Sequence, residues 1–339
     1  MEISNLRFYL SHSTFVIFRL SIYYGFYYIT ILYSFGLLPL LDMILPDDLH
    51  DQDKDDDSND ESFKKPIYHW VGLYFISLIY SLIYLYKNPI SLINKILMGI
   101  SFGIITSQSI AVSHELSHKQ NPKDLFLSKL LLIPSLYSHF FIEHKYGHHI
   151  NVATPLDPAT AKKNQTVYNF IPRSIIGGYL NAFKLEYEKY GLINYVTKSS
   201  LLNILILILL GYIDIHILVF YIIQALVGVI IGEAINYVEH YGLERKLING
   251  RYESVKKIHS WDSSKLITNL MLFRIGRHSD HHTNPIKEYQ YLRINESSPK
   301  LPFGYMLSLL VSFIPPLWFR IMNPILEKFN KNNEINKNI

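Results

Sequence analysis

The chain has 339 residues, of which 49% are hydrophobic, 14% aromatic and 18% charged, with a formal net charge of +4. So large an apolar share, with a mean hydropathy of +0.12, points away from a soluble domain and toward a membrane protein. The absence of cysteine excludes disulfides, thiolate zinc sites and cysteine-held iron–sulfur centres, and the basic residues are not arranged as a nucleic-acid surface.

Taken in chain order, residues 1–19 are interrupted by Arg7 and Arg19 and make a poor span. Residues 20–41, 67–86 and 96–113 carry no charge. At about 1.5 Å per helical residue, each approaches the thickness of a ~30 Å hydrocarbon core. Between the first two lies "PDDLHDQDKDDDSNDES", residues 46–62, too acidic and too poor in aromatics to bury a core. It predicts a mobile, solvated loop with no catalytic role. Asn88-Pro89 turns the second run into the third, and residues 201–213 and 215–232 predict a helical hairpin turning at Asp214. Residues 303–319, broken by Pro315-Pro316, predict an interfacial or re-entrant helix, and no cleavable signal pattern precedes residue 20. The expected fold is all-α: a polytopic membrane bundle in one domain over residues 1–339, with five spanning helices, or six if the amino-terminal stretch also crosses. Residues 114–200 hold ten Lys or Arg and residues 240–300 hold eleven, against Lys87 and Lys95 near the short turns, so the large segments are expected to face the cytosol. That orientation suits a bacterial inner membrane or the endoplasmic reticulum.

Nine of the 15 histidines fall in four places: His114 and His118; His144, His148 and His149; His240; and His278, His281 and His282. Spacings of three or four put imidazoles on one helix face, and all four groups are expected at one membrane face. A polynuclear metal site follows. Nine nitrogen donors overfill one catalytic zinc but suit two irons with four or five imidazoles each. Glu115, Glu143, Glu239 and Asp280 stand beside the histidines and are expected to accept their second ring N–H. Glu233, Asn236 and His240 share a stripe of the last spanning helix, and an ionisable residue inside a span invites a functional role. His114-Glu115-x-x-His118 alone would also read as a zinc protease with Glu115 as general base, but seven clustered histidines would then have no purpose.

The stretches "HELSHK", "HFFIEHKYGHHINVATPLDPATA", "NYVEHYGLER" and "RHSDHHTNP" resemble, in order, the histidine boxes of the integral-membrane alkane monooxygenases, relatives of the membrane fatty-acid desaturases and xylene monooxygenases. "GLLPLLD" (36–42) and "HSWDSS" (259–264) are similar as well, so the likeness runs from about residue 36 to 325. The chain departs from the family at Ser117, usually Gly, and at Ile275-Gly276, usually Leu-Gln. The resemblance implies a diiron cap with the nine histidines as ligands, O2 activation, and hydroxylation of the terminal methyl of an alkane or related chain. An apolar channel between the spans would present only the end of the hydrocarbon to the irons. Fatty acyl, aromatic-methyl or sterol hydroxylation or desaturation are alternatives on the same scaffold. The resemblance further implies electrons from an NAD(P)H-dependent reductase through a rubredoxin or ferredoxin. A chain with no cysteine and no dinucleotide-binding glycine motif must indeed receive electrons from elsewhere.

Overall fold

The computed structural model describes residues 4–51 and 61–335; residues 52–60, the centre of the acidic segment, lie outside the described residues. The chain is helical apart from one two-residue hairpin, Leu247–Ile248 with Arg251–Tyr252, among the described residues. Its labelled helices are α1 (Ser13–Tyr23), α2 (Lys64–Lys87), α3 (Leu92–Ser117), α4 (Val167–Tyr190), α5 (Tyr195–Ile213), α6 (Ile215–His240) and α7 (Pro315–Ile335). Four of these, α2, α3, α5 and α6, are long and apolar enough to cross a membrane.

The uncharged run 20–41 is not one span. α1 ends at Tyr23, Gly25 turns the chain at φ 73°, and a second helix, Ile29–Ile44, follows with a wider turn over Tyr33–Leu37. The part of the run before Gly25 instead continues the helical stretch that begins with a 3-10 helix at Asn5–His12, so residues 20–41 are shared between two helices. The other apolar runs hold as helices. Asn88–Ser91 links α2 to α3, where Ser91 caps the Asn94 N–H, and Asp214 alone links α5 to α6 by accepting from the His216 N–H at 2.6 Å. Pro315-Pro316 does not kink a helix but starts α7, where a missing N–H has no helical partner to lose.

α3 and α6 form the centre. Glycines let their backbones touch: a Cβ on Gly99 would lie 2.8 Å from Ile223, on Gly103 2.5 Å from Val227, and on Gly228 2.6 Å from Thr106. The paired positions keep a nearly constant offset, 223 − 99 = 124 and 228 − 106 = 122, so the helices run parallel and in register. Carried to the helix ends, that register sets His240 level with His118. A Thr106–Gln224 hydrogen bond stitches the pair in the apolar interior, and Gln224 Nε2 also ties α6 to the Pro134 carbonyl at 2.7 Å. Packed over it are Trp70, Tyr74, Phe18, Phe102 and Phe220, all nearly inaccessible to solvent. α5 is the peripheral member, with 11% of its apolar window buried against 78% for α3.

The segment Pro46–Asp51, expected as a solvated tether, is mostly exposed but is anchored at Asp48. Asp48 is buried between the guanidiniums of Arg274 and Arg277, both 1% exposed, and the His50 carbonyl accepts from both at 2.8 and 2.9 Å. Two buried cations require counter-charge, and the acidic segment supplies it. Asp42, at the end of "GLLPLLD", accepts the Ile267 and Thr268 N–H groups at 2.7 and 3.1 Å. The region preceding His278, His281 and His282 is thus pinned by residues more than 200 positions earlier in the chain.

Candidate metal centre

All nine histidines converge in two adjoining groups. One holds His114, His118, His144, His149 and His281; the other holds His148, His240, His278 and His282, and within each group the donor atoms lie within 4.8 Å of one another. The groups touch, with the His149 and His282 rings 4.5 Å apart at their centroids.

Local structure explains the partition. His114 and His118, and likewise His278 and His282, are four apart on α-helical turns and face the same way. The second box behaves differently because Glu143–His148 forms a π turn, in which the His149 N–H bonds the His144 carbonyl five residues back. Residues five apart are then stacked, so His144 pairs with His149 (Nε2–Nε2 2.9 Å) while His148 turns to the other group. Spacing read as an ordinary helix would have paired His144 with His148.

Carboxylates beside the ligands do other work than expected. Glu115 faces away from the rings, paired with Lys119 and accepting the Tyr289 N–H at 3.2 Å. Glu143 accepts from Asn181 at 2.8 Å, and Asp280 from Lys287 at 2.6 Å and the Arg293 N–H at 2.9 Å. The cause is helical: sequence neighbours point about 100° apart, so the residue next to a ligand cannot serve that ligand. Glu239 comes near a ring, but its Oε2 lies 3.4 Å from His278 Nε2, the nitrogen that faces His240 and His282, and not at the second ring nitrogen. With Glu115 turned away, no general base stands in the zinc-protease position. The carboxylate that does orient a histidine is Asp157, whose Oδ2 is 2.9 Å from His148 Nδ1 and is fixed by Thr160 at 2.6 Å. Sequence reasoning passed over it because it lies nine residues downstream in a loop; its signal was an acidic residue in "PLDPAT" with turn-forming prolines on both sides. Asp262, in "HSWDSS", accepts the Ser279 N–H and hydroxyl at 2.7 and 2.8 Å and anchors the start of the helix His278–Thr283. Glu233 accepts from Tyr137 and from Asn236, so the stripe on α6 is a hydrogen-bonded polar network. Of the two departures, Ser117 donates back to the His114 carbonyl at 2.7 Å, and Gly276 sits where a Cβ would lie 2.5 Å from Asn269 Oδ1.

The donor set fits metal. Nε2 atoms face one another at 3.1 Å for His118–His144 and His240–His278, 3.0 Å for His278–His282 and 3.2 Å for His149–His281, so lone pairs converge where one proton at most can sit between each pair. His114 Nε2 and His148 Nε2 are buried without any protein partner. Burial, and then the neighbouring imidazoles, hold His118, His144, His149, His278, His281 and His282 well below the usual imidazole range, which keeps them neutral and ready to bind. For His148 burial acts in the same direction, but Asp157 overrides it and raises the group. Burial, and then Asp157, push Glu143 up to about 7.

A narrow apolar pocket opens from His114, His144 and His278 into the bundle between α3 and α6, walled by Ile110, Ala111, Gly232, Ile235, Leu272 and Ile275. Besides the histidines, its polar groups are Ser107 on α3, Tyr137, and Glu233, Asn236 and Glu239 on α6.

Residues 91–307 match the family profile of fatty acid desaturases. Over 303 residues the chain is 36% identical to an alkane 1-monooxygenase of Acinetobacter baylyi, covering 85% of this chain and 74% of that one. The chain belongs to the alkane monooxygenase group of the fatty acid desaturase family. An alkane 1-monooxygenase of Alcanivorax borkumensis is 37% identical over 313 residues, 88% of this chain and 76% of its own length. The hydroxylase component of a Pseudomonas putida xylene/toluene monooxygenase is more distant, at 27% over 225 residues, 63% of this chain and 59% of its own. All nine clustered histidines of this family member fall inside the profile match.

Proposed function

We propose that the protein is a membrane monooxygenase with two non-haem irons, which hydroxylates the terminal methyl of an alkane or related hydrocarbon chain. Overall, RH + O2 + two electrons + two protons gives ROH + H2O. One iron would be held by His114, His118, His144, His149 and His281, the other by His148, His240, His278 and His282. When bound, the irons supply the O2 activation and the oxidising power that an unactivated C–H bond needs. The observation that carries the proposal is the meeting of two all-imidazole donor sets, with His114, His144 and His278 lining a pocket between the central helices.

The residues of the chain divide the remaining tasks. Ile110, Ala111, Gly232 and Ile235 give the apolar part of the wall, along which shape would set the position of a hydrocarbon with its end toward His114, His144 and His278. Asp157 holds His148 in one tautomer with Nε2 turned to the second donor set. Burial of the rings keeps water from the reacting end of the substrate. Electrons come from a rubredoxin or ferredoxin and its NAD(P)H-dependent reductase, docked on the basic face that the positive-inside rule assigns to the cytosol. The protein would cross the bacterial inner membrane or the endoplasmic reticulum several times.

The test is expression in membranes with a rubredoxin and its reductase, with product chromatography from mixed alkanes, aryl methyl compounds and free fatty acids, and metal analysis of the purified protein. Primary alcohols from alkanes and two irons per chain are expected. A single zinc, or no O2-dependent product with a working reductase, refutes the proposal.

A further inference from the structure

A groove on the histidine side of the molecule is built from lysines and rings. It runs between the end of α4, the start of α5, the helix Pro122–Leu132 and the second histidine box, and Lys129, Lys189 and Lys198 line it together with Phe141, Tyr146, Tyr190 and Tyr195. The acidic side chain on the groove, Glu186, is already engaged, its Oε2 accepting the Tyr195 N–H at 2.9 Å. The lysines rest on ring faces: Lys129 Nζ is 4.6 and 4.9 Å from the centroids of Phe141 and Tyr195, and Lys145 Nζ is 5.7 Å from those of Phe141 and Tyr146.

The position of the groove selects its occupant. α5 begins there, with Asn194 capping the Thr197 N–H at 2.9 Å, and α5 is the spanning helix least covered by protein. The adjoining turn exposes Leu192 and Ile193 at 66% and 77%, and further along α5 Leu201, Ile204, Leu205 and Ile208 are exposed as well. An anion held by the lysines would therefore sit level with the headgroups, with an apolar helix face directly below it for hydrocarbon tails.

We propose that the groove of Lys129, Lys189 and Lys198 binds the headgroup phosphate of an anionic phospholipid whose acyl chains lie along α5. The site is separate from the pocket between α3 and α6, and it rests only on the membrane-spanning character of α5. It adjoins the metal centre through Lys145, which follows His144 and donates to the Ser117 carbonyl at 3.0 Å.

The full chain purified in a zwitterionic detergent provides the test. Phosphatidylglycerol, phosphatidylcholine and inorganic phosphate are added separately, and bound lipid is counted by native mass spectrometry beside the thermal unfolding midpoint. Phosphatidylglycerol is expected to remain as a one-to-one adduct and to raise the midpoint, while phosphatidylcholine and phosphate do neither. In Lys129→Gln/Lys198→Gln retention should fall on the order of ten-fold or more. Lys184→Gln, an exposed lysine elsewhere on α4, should behave as wild type. Equal retention in the double variant overturns the proposal, and so does stabilisation by phosphate alone, which would make the groove a free-anion site. Neither readout uses the metals, so failure here is distinct from failure of the monooxygenase proposal.

Discussion

Replacing Asp48 by Asn removes the charge between two guanidiniums while keeping its shape. Arg274 approaches both Asp48 oxygens at 3.3 Å, Arg277 approaches Oδ2 at 3.5 Å, and all three side chains are at most 2% exposed. Arg277 retains Asp51 as a partner, but Arg274 is left with the backbone carbonyls of Gln290 and His50. Leaving one buried charge unpaired costs about 3–5 kcal/mol. The same clamp holds Phe273 and Arg274 at φ 50° and 57°, a left-handed backbone that costs on the order of 1–2 kcal/mol for each residue. His278 begins one residue after Arg277, so the loss should reach the four-histidine set before the five-histidine one. The expected outcome in purified protein is a thermal midpoint lower on the order of 5 °C and preferential loss of one of two metals. Asp47→Asn is the control: its pair with Lys265 is partly exposed, at 38% and 26%, and such a pair is worth at most about 1 kcal/mol. If Asp48→Asn matches Asp47→Asn in midpoint and metal content, the clamp does not hold His278, His281 and His282 in place.

Four further outcomes are expected. His148→Ala and His281→Ala should each give a folded, membrane-inserted protein with one metal in place of two and no turnover; elemental analysis finding both metals would remove that residue from the ligand set. Asp157→Asn should weaken the four-histidine site about 10–100-fold, measured by competition with a chelator, and release at the wild-type rate would contradict the assigned role. Gly103→Ala places a methyl 2.5 Å from the Val227 Cβ and should destabilise the protein by about 1–3 kcal/mol; unchanged thermal inactivation would show that α3 and α6 do not meet there. Gly232→Phe grows from the pocket wall beside Ile110 and should shift products toward shorter chains. An unaltered product ratio would place the hydrocarbon elsewhere.

Membrane class, the helical runs around Asn88-Pro89 and Asp214, and the nine histidines were legible in the sequence, because hydropathy and i, i+4 spacing are local properties that survive whatever the helices pack against. The break at Gly25 was not, since apolar composition is the same for one long helix and for two short ones. α4 also escaped notice, its apolar residues being interrupted by charges at an amphipathic rhythm that hydropathy averages away. The division of the histidines into five and four was decided only by tertiary structure: the π turn at Glu143–His148 reassigns His148 and His149, and the α3–α6 register brings His118 and His240 to one level. Distance along the chain likewise concealed Asp157 beside His148 and Asp48 between Arg274 and Arg277. A sequence records which side chains a helix turn presents; which carboxylate then meets a buried ring or cation depends on where separate segments come to rest, and that is settled only when the core is packed.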